Sequence, residues 1–336
     1  MGLLIDGEWS DAGYNTAKHQ GRFVRDTARF RHWITPDGSA GPSGDGGFKA
    51  EAGRYHLYVS HACPWAHRVM IMRHLKDLVP HISVSVVHPL MLDKGWSFDR
   101  DDFATGDNLY GVDYLYQIYL KSDPRASGRV TVPVLWDKQT GGIVSNESSE
   151  IIRMFNDAFD GLSGNDLDFH PEPLRERIDQ LNERIYPAVN NGVYRAGFAT
   201  TQEAYEEAFD ELFDMLDELE TLLDGQRYLA GHYLTEADIR LFTTLIRFDA
   251  VYHGHFKCNL KRIEDYPNLS NWLRELYQWP GVSETVDFTH IKSHYYASHA
   301  TINPTGVVPK GPQQDFMRTH DRQRLPGKGV WQKTER

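Results

Sequence analysis

The chain has 336 residues, 40% of them hydrophobic and 12% aromatic, which supports ordinary buried cores and makes two packed domains the expectation. Thirty-six basic side chains against 47 acidic ones leave a formal charge of −11, and no Lys/Arg-rich block interrupts it, so neither nucleic acid nor an anionic membrane surface is an expected partner. No apolar run approaches the roughly 18 residues needed to cross a bilayer, and Met1–Trp9 lacks the basic start and apolar core of a signal peptide, so a cytoplasmic protein is expected.

Residues 1–54 are rich in Gly, Asp and aromatics, with Gly41-Pro42 and Gly44-Asp45-Gly46-Gly47 as turn punctuation. They read as an extension that Phe23, Phe30 and Trp33 pin to a body. From 55 to 160 the pattern is α/β. His56–Ser60 predicts a strand, Ala66–Val79 a helix stopped by Pro80, and Ile82–Val87 a second strand. A less regular stretch, 90–128, precedes two further strands, Val130–Trp136 and Gly142–Val144, and a helix over Glu147–Phe155.

Residues 170–290 read as all-helical. Thr201–Leu223 puts Tyr205, Ala208, Phe209, Leu212, Phe213, Leu216, Leu219 and Leu223 on one stripe and acidic residues on the other face, and Gly225 stops it. Thr235 and Asp238 form a variant capping box ahead of Ile239, Leu241, Phe242, Leu245 and Ile246. Pro267–Trp279 predicts another helix, and 291–336 reads as a tail lying on the body.

Two cysteines, Cys63 and Cys258, make no disulfide scaffold, although a bridge between them stays open at this level. Cys63 sits between a strand and a helix, in Ser60-His61-Ala62-Cys63-Pro64-Trp65-Ala66. There the unpaired amides of the first helical turn and the helix dipole stabilise a thiolate, and Pro64 suits the first helical position. Ala66 stands where the second cysteine of a Cys-x-x-Cys pair would be, which favours monothiol chemistry. Cys258 has no such setting and reads as a buried structural residue.

Pro133 enters a strand as the reactive-site proline of thioredoxin-like folds does. By that likeness it is expected to be cis, leaving the Val132 backbone to a peptide-like ligand. In Ser145-Asn146-Glu147-Ser148, a strand end opening a helix, Glu147 can pair with an ammonium while Ser148 and the helix-start amides receive a carboxylate.

These elements and the helical half resemble the cytosolic glutathione transferases. The ordered set is more specific: Cys63-Pro64-Trp65-Ala66-His67-Arg68, Gly95-Trp96-Ser97-Phe98, Gly128–Asp137, Ser145–Ser148, Asn190–Phe198, Leu234–Asp238 and Ile302-Asn303-Pro304. In that form it resembles the glutathionyl-hydroquinone reductases, the Xi-like class. The resemblance covers the chain to about Val307 and implies a thioredoxin-like domain followed by a glutathione-transferase-type helical domain. It implies Cys63 as nucleophile and glutathione as co-substrate, held by Trp96, Arg129, Val130, Glu147 and Ser148. Tyr194 and Tyr295, with Tyr252, would line the aromatic half of the site, and a phenol hydroxyl is a sensible donor to a hydroquinone oxygen.

A homodimer and no metal are expected. The competing readings are an omega-like thioltransferase or dehydroascorbate reductase using the same cysteine, a conjugating transferase, and a non-catalytic binding module. A metal enzyme built on His253 and His255 has no third ligand in view.

Overall fold

The computed structural model describes residues 2–335 and opens with a hairpin, β1 (Leu3–Ile5) and β2 (Glu8–Ser10), turned by Asp6-Gly7 with both residues at positive φ. After the arm, β3 (Tyr55–Val59) leads into α1 (Pro64–Leu75), and the crossover brings β4 (Ser83–Val86) parallel to β3. The stretch that looked irregular holds a second hairpin, β5 (Met91–Leu92) and β6 (Gly95–Trp96), and a helix, α2 (Leu115–Ser122). Then β7 (Gly128–Arg129) pairs with β1, and β8 (Val134–Asp137), β9 (Gly142–Ser145) and α3 (Ser148–Asp157) complete the plan.

The main sheet runs β4-β3-β8-β9, with β8 antiparallel to both its neighbours. All five β3 residues and all four of β8 are buried, so these strands read as apolar runs rather than as alternation. Asp137, at the end of β8, is one polar exception and His56, in β3, is the other. Its Nδ1 lies 2.7 Å from Ser83 Oγ and its Nε2 3.0 Å from Ser85 Oγ, so the neighbouring strand satisfies both ring nitrogens. The strand expected from Val130 begins only at Val134, because Pro133 has no N–H to give to a ladder. Helix α1 ends at Leu75 rather than Val79, since Asp77 takes positive φ and Val79 is exposed.

The remaining elements are α4 (Asp160–Ser163), β10 (Leu167–Asp168), α5 (Arg175–Ile185), a π-helical turn at Tyr186–Asn190, α6 (Gly192–Gly197), α7 (Gln202–Gly225), α8 (Glu236–Arg247), a second π-helical turn at Phe248–Tyr252, α9 (Pro267–Tyr277), α10 (Phe288–Ser298) and β11 (Trp331–Gln332), which pairs with β10. The capping box at Thr235 is present, and Asp238 also accepts from Leu229 N and Trp272 Nε1. Arg322, fully buried in the last stretch of chain, donates to the carbonyls of Leu223, Gln226 and Arg227 and so satisfies the C-terminal end of α7.

The chain divides into two compact units. The first comprises Met1–Tyr14, Arg25–Asn165 and Thr285–Ser298; the second comprises Asn15–Val24, Asp166–Glu284 and His299–Arg336. The arm is therefore shared between units, and α10, which lies largely in the stretch expected to be an irregular tail, belongs to the first. Its buried positions are His290, Ile291, His294 and Tyr295, a stripe half made of histidine that apolar periodicity does not register. No helix among the described residues is long and apolar enough to cross a membrane.

Burial pushes His56 down to about 4. Between about pH 6.5, where an ordinary imidazole titrates, and pH 4, the unfolded chain binds a proton that the folded chain does not. Stability is therefore full above the unfolded value and falls as the pH falls through that window, by at most about 3 kcal/mol from this residue. The urea midpoint, followed by tryptophan fluorescence, is expected to drop from pH 7 to pH 4.5. His56→Asn is expected to show a shallower drop than the wild type.

Candidate active site

Cys63 is the N-cap of α1, with φ −77° and ψ 122°, and no side-chain cap bond competes for the first-turn amides. Pro64 contributes no N–H, so those amides belong to Trp65 and Ala66. The Cys63 carbonyl receives the His67 N–H at 2.9 Å, which fixes the thiol at the helix start. Its Sγ lies 3.5 Å from the Val132 carbonyl oxygen. The Val132–Pro133 bond is cis, as expected, and the Val132 N–H has no partner among the described residues although the residue is buried. A donor of this kind beside a thiol suits the backbone of a cysteine-containing peptide.

The second part of the site is the start of α3. Glu147 is its N-cap and accepts through Oε1 from both Ser149 N and Ser149 Oγ, which leaves Oε2 for a ligand cation. Ser148, at the first helical position, has a buried Oγ with no hydrogen-bond partner among the described residues, and its N–H is likewise without an acceptor there. Two unmet donors at a helix N-terminus beside an open carboxylate oxygen are the groups that can receive an amino acid's carboxylate and ammonium together.

One residue that the sequence reading missed joins these two parts. Tyr119, fully buried in α2, donates its hydroxyl to Thr131 O at 2.8 Å and accepts from Thr131 N at 3.2 Å and from Asn146 Nδ2 at 3.1 Å. Thr131 precedes Val132, and Asn146 precedes Glu147, so one phenol spaces both ligand-facing segments. Burial raises the Tyr119 pKa, keeping the hydroxyl protonated. Only the α2 periodicity inside the irregular stretch could have signalled it.

Trp96 and Arg129 are placed less simply than expected. Trp96 ends β6 and stacks on His294 of α10, with ring centroids 4.8 Å apart and planes at 22°, so one face of its indole is already covered. The His294 Nδ1 lies 2.8 Å from Pro89 O, which holds the imidazole in place. Arg129 meets the N-terminal arm: Nε lies 3.3 Å from Asp26 Oδ2, Nη1 2.6 Å from Ala12 O and Nη2 2.8 Å from Gly13 O. Val130 follows at the end of β7 with its side chain buried. His67 and Arg68 are both buried, and His67 Nε2 contacts Thr285 Oγ1 at 2.8 Å.

The three expected tyrosines fall into different units. Tyr194 (α6) and Tyr252, in the second π-helical turn, belong to the second unit with centroids 6.0 Å apart, in a cluster with Phe198 and Phe256. Helical irregularities of this type recur at functional sites. Tyr295 lies in α10, in the first unit, against His294. Tyr252 and Tyr295 are fully buried and Tyr194 nearly so.

Neither Cys63 nor Cys258 is in a disulfide, so the bridge left open by the sequence is not formed. Burial pushes the Cys258 thiol far up and leaves it inert. His255, one of the two histidines weighed as metal ligands, is held down at about 4 by burial and sits 3.1 Å from His299. A different trio, His170, Asp179 and Glu236, brings its ligand atoms within 4.8 Å of one another. The Glu236 charge is already met there, by Asn182 Nδ2 at 2.9 Å and Arg240 Nη1 at 3.6 Å.

A thiol-specific chromogenic reagent is expected to titrate one cysteine per native chain at neutral pH and two after unfolding in denaturant. Two fast thiols in the native protein would contradict the inert placement of Cys258.

Comparison with known proteins follows the same two units. Residues 62–158 match the model of the glutathione S-transferase N-terminal domain and residues 202–275 that of the C-terminal domain. The chain is 60% identical over 324 residues to the glutathionyl-hydroquinone reductase YqjG of Escherichia coli (strain K12), covering 96% of this chain and 98% of the relative. It is 55% identical over 314 residues to the glutathionyl-hydroquinone reductase PcpF of Sphingobium chlorophenolicum, covering 94% and 97%. The glutathione-bound structure of YqjG matches with a TM-score of 0.89 at 58% identity, over 96% of this chain and 99% of that one. A Xi class transferase from Natrialba magadii matches with a TM-score of 0.90 at 48% identity, over 98% of each chain.

Proposed function

The chain belongs to the glutathionyl-hydroquinone reductases of the glutathione transferase superfamily, and we propose that it reduces glutathionyl-hydroquinones with glutathione through a covalent step at Cys63. The observation that carries the assignment is the Cys63 thiol at a helix start, 3.5 Å from the Val132 carbonyl. Glutathione fits the donors around it. The Val132 N–H meets the cysteinyl backbone, Ser148 and the first amide of α3 take the γ-glutamyl carboxylate, and Glu147 Oε2 takes its ammonium. Arg129 takes the other carboxylate, with Trp96 and Val130 as walls.

In the first half-reaction the Cys63 thiolate attacks the glutathione sulfur of the substrate. An S–S bond forms, the ring C–S bond breaks, and its electron pair passes through the ring to the carbonyl oxygen. Carbon leaves poorly, so the ring departs from its keto tautomer, with charge developing on oxygen as the bond breaks. Tyr194 and Tyr295 are assigned as the hydroxyls that stabilise that oxygen, and Tyr252 as a lining residue. The phenolate oxygen so formed takes a proton and hydroquinone is released. In the second half-reaction the thiolate of a second glutathione attacks the Cys63–glutathione disulfide, releasing glutathione disulfide and regenerating Cys63. The balance is one substrate and one glutathione consumed, one hydroquinone and one glutathione disulfide formed.

Purified protein given glutathionyl-hydroquinone and glutathione is expected to release hydroquinone and glutathione disulfide in equal amounts, with ping-pong kinetics. With substrate alone, intact mass should show one glutathione adduct on Cys63. Cys63→Ser is expected to lose about 10³-fold or more in kcat while still binding glutathione. Substantial turnover by the serine variant would remove Cys63 from the role. An adduct formed from glutathione disulfide, without hydroquinone release, would move the activity to thioltransfer. A homodimer is expected in solution, which sedimentation equilibrium tests.

A further inference from the structure

The N-terminal arm lies against several of the segments that carry a proposed glutathione contact. Trp9 packs on Gly95, beside Trp96, so closely that a Cβ at Gly95 would stand 2.8 Å from the indole, and Gly95 is at positive φ. Asp11 Oδ1 accepts from Lys94 N at 3.4 Å. Arg25 lies over the Trp65 ring, 4.1 Å from its centroid, two residues beyond Cys63. Phe30 exchanges two bonds with Asn146, one residue before Glu147: its N–H donates to Oδ1 at 3.1 Å and its carbonyl accepts from Asn146 N at 3.1 Å. Arg31 pairs with Glu150 in the first turn of α3.

The most complete of these contacts is at Arg129. Its guanidinium has five N–H donors. Ala12 O, Gly13 O and Asp26 take three of them, and the Tyr14 ring covers the plane at 4.3 Å from Cζ. We infer that the arm is a working part of the glutathione site and that Tyr14 and Asp26 are positioning residues. They hold the Arg129 guanidinium in one orientation, with its two remaining donors presented to a carboxylate of the incoming glutathione.

Arginine is a long side chain whose rotamer freedom is lost on binding. A guanidinium already fixed by two carbonyls, a carboxylate and a ring meets its ligand without that loss. The Asp26 carboxylate is 62% exposed, so its ion pair alone adds little, and its part is to set direction. The inference rests on Arg129 holding glutathione.

The test uses the full chain carrying Cys63→Ser, so that no disulfide forms, and calorimetric titration with glutathione. Tyr14→Ala and Asp26→Asn are each expected to weaken binding about three- to tenfold, with the melting temperature unmoved. Tyr14→Phe, which keeps the ring, should bind as the parent does. Tyr14→Ala added to Arg129→Ala should cost nothing beyond Arg129→Ala alone, because the arm acts through that side chain; an additive loss would mark a merely structural contact and overturn the inference. Parent-like binding by both Tyr14→Ala and Asp26→Asn would also overturn it. So would tighter binding in Asp26→Asn, which would make Asp26 a competitor for Arg129. If Arg129→Ala itself binds as the parent does, the Arg129 contact fails first and takes the positioning role with it.

Discussion

The buried hydroxyl of Tyr119 sets the spacing of the segments proposed to hold glutathione. Two segments apart in sequence, the approach to Pro133 and the start of α3, each leave donors unmet among the described residues. A phenol that donates to one carbonyl and accepts from two N–H groups spaces both from a third element, α2. A hydroxyl buried in this way is worth more as a spacer than as a source of stability. It has few alternative arrangements that satisfy all its partners, so the segments it bridges cannot drift independently.

Around that spacer the protein puts the same residue type to opposite ends. Cys63 and Cys258 are both reduced. One caps a helix beside unmet donors; the other is sealed in an apolar environment that disfavours its thiolate. The proposed chemistry needs a disulfide partner from outside, and Ala66 in place of a second cysteine and the buried Cys258 thiol agree with that proposal. The donors of the site follow a similar logic. Those proposed to face glutathione have no partners among the described residues, while neighbouring groups, such as Glu147 Oε1, are bonded.

The arm changes how the site is read. Arg129 carries the charge expected of a carboxylate receptor, but three of its donors are committed to the chain's first 26 residues. An apparently featureless Gly/Asp-rich extension is thereby built onto β7, through β1 on one side and through Arg129 on the other. The last residues of the chain act in a comparable way on the helical unit, where Arg322 closes the carbonyl end of α7.

Much of this was legible in the order of residues, where the signal is local. The strand before Cys63, the proline after it, the Thr235–Asp238 box and the stripe of α7 each follow from spacings of a few residues, and the structure shows them with shifts at the ends. The Cys63, Val132, Glu147 and Ser148 set could likewise be named from chemistry and resemblance. What the order of residues could not show is where polar groups meet across long separations. Tyr119 with Asn146, Trp96 with His294, and Arg129 with Asp26 are pairings between segments whose periodicity is weak or whose buried stripe is made of histidine and tyrosine. Hydrophobic pattern reports burial only for side chains that lack polar atoms. A polar side chain is committed to the interior by its partner, and which partner it finds is decided only when the tertiary fold brings the two segments together.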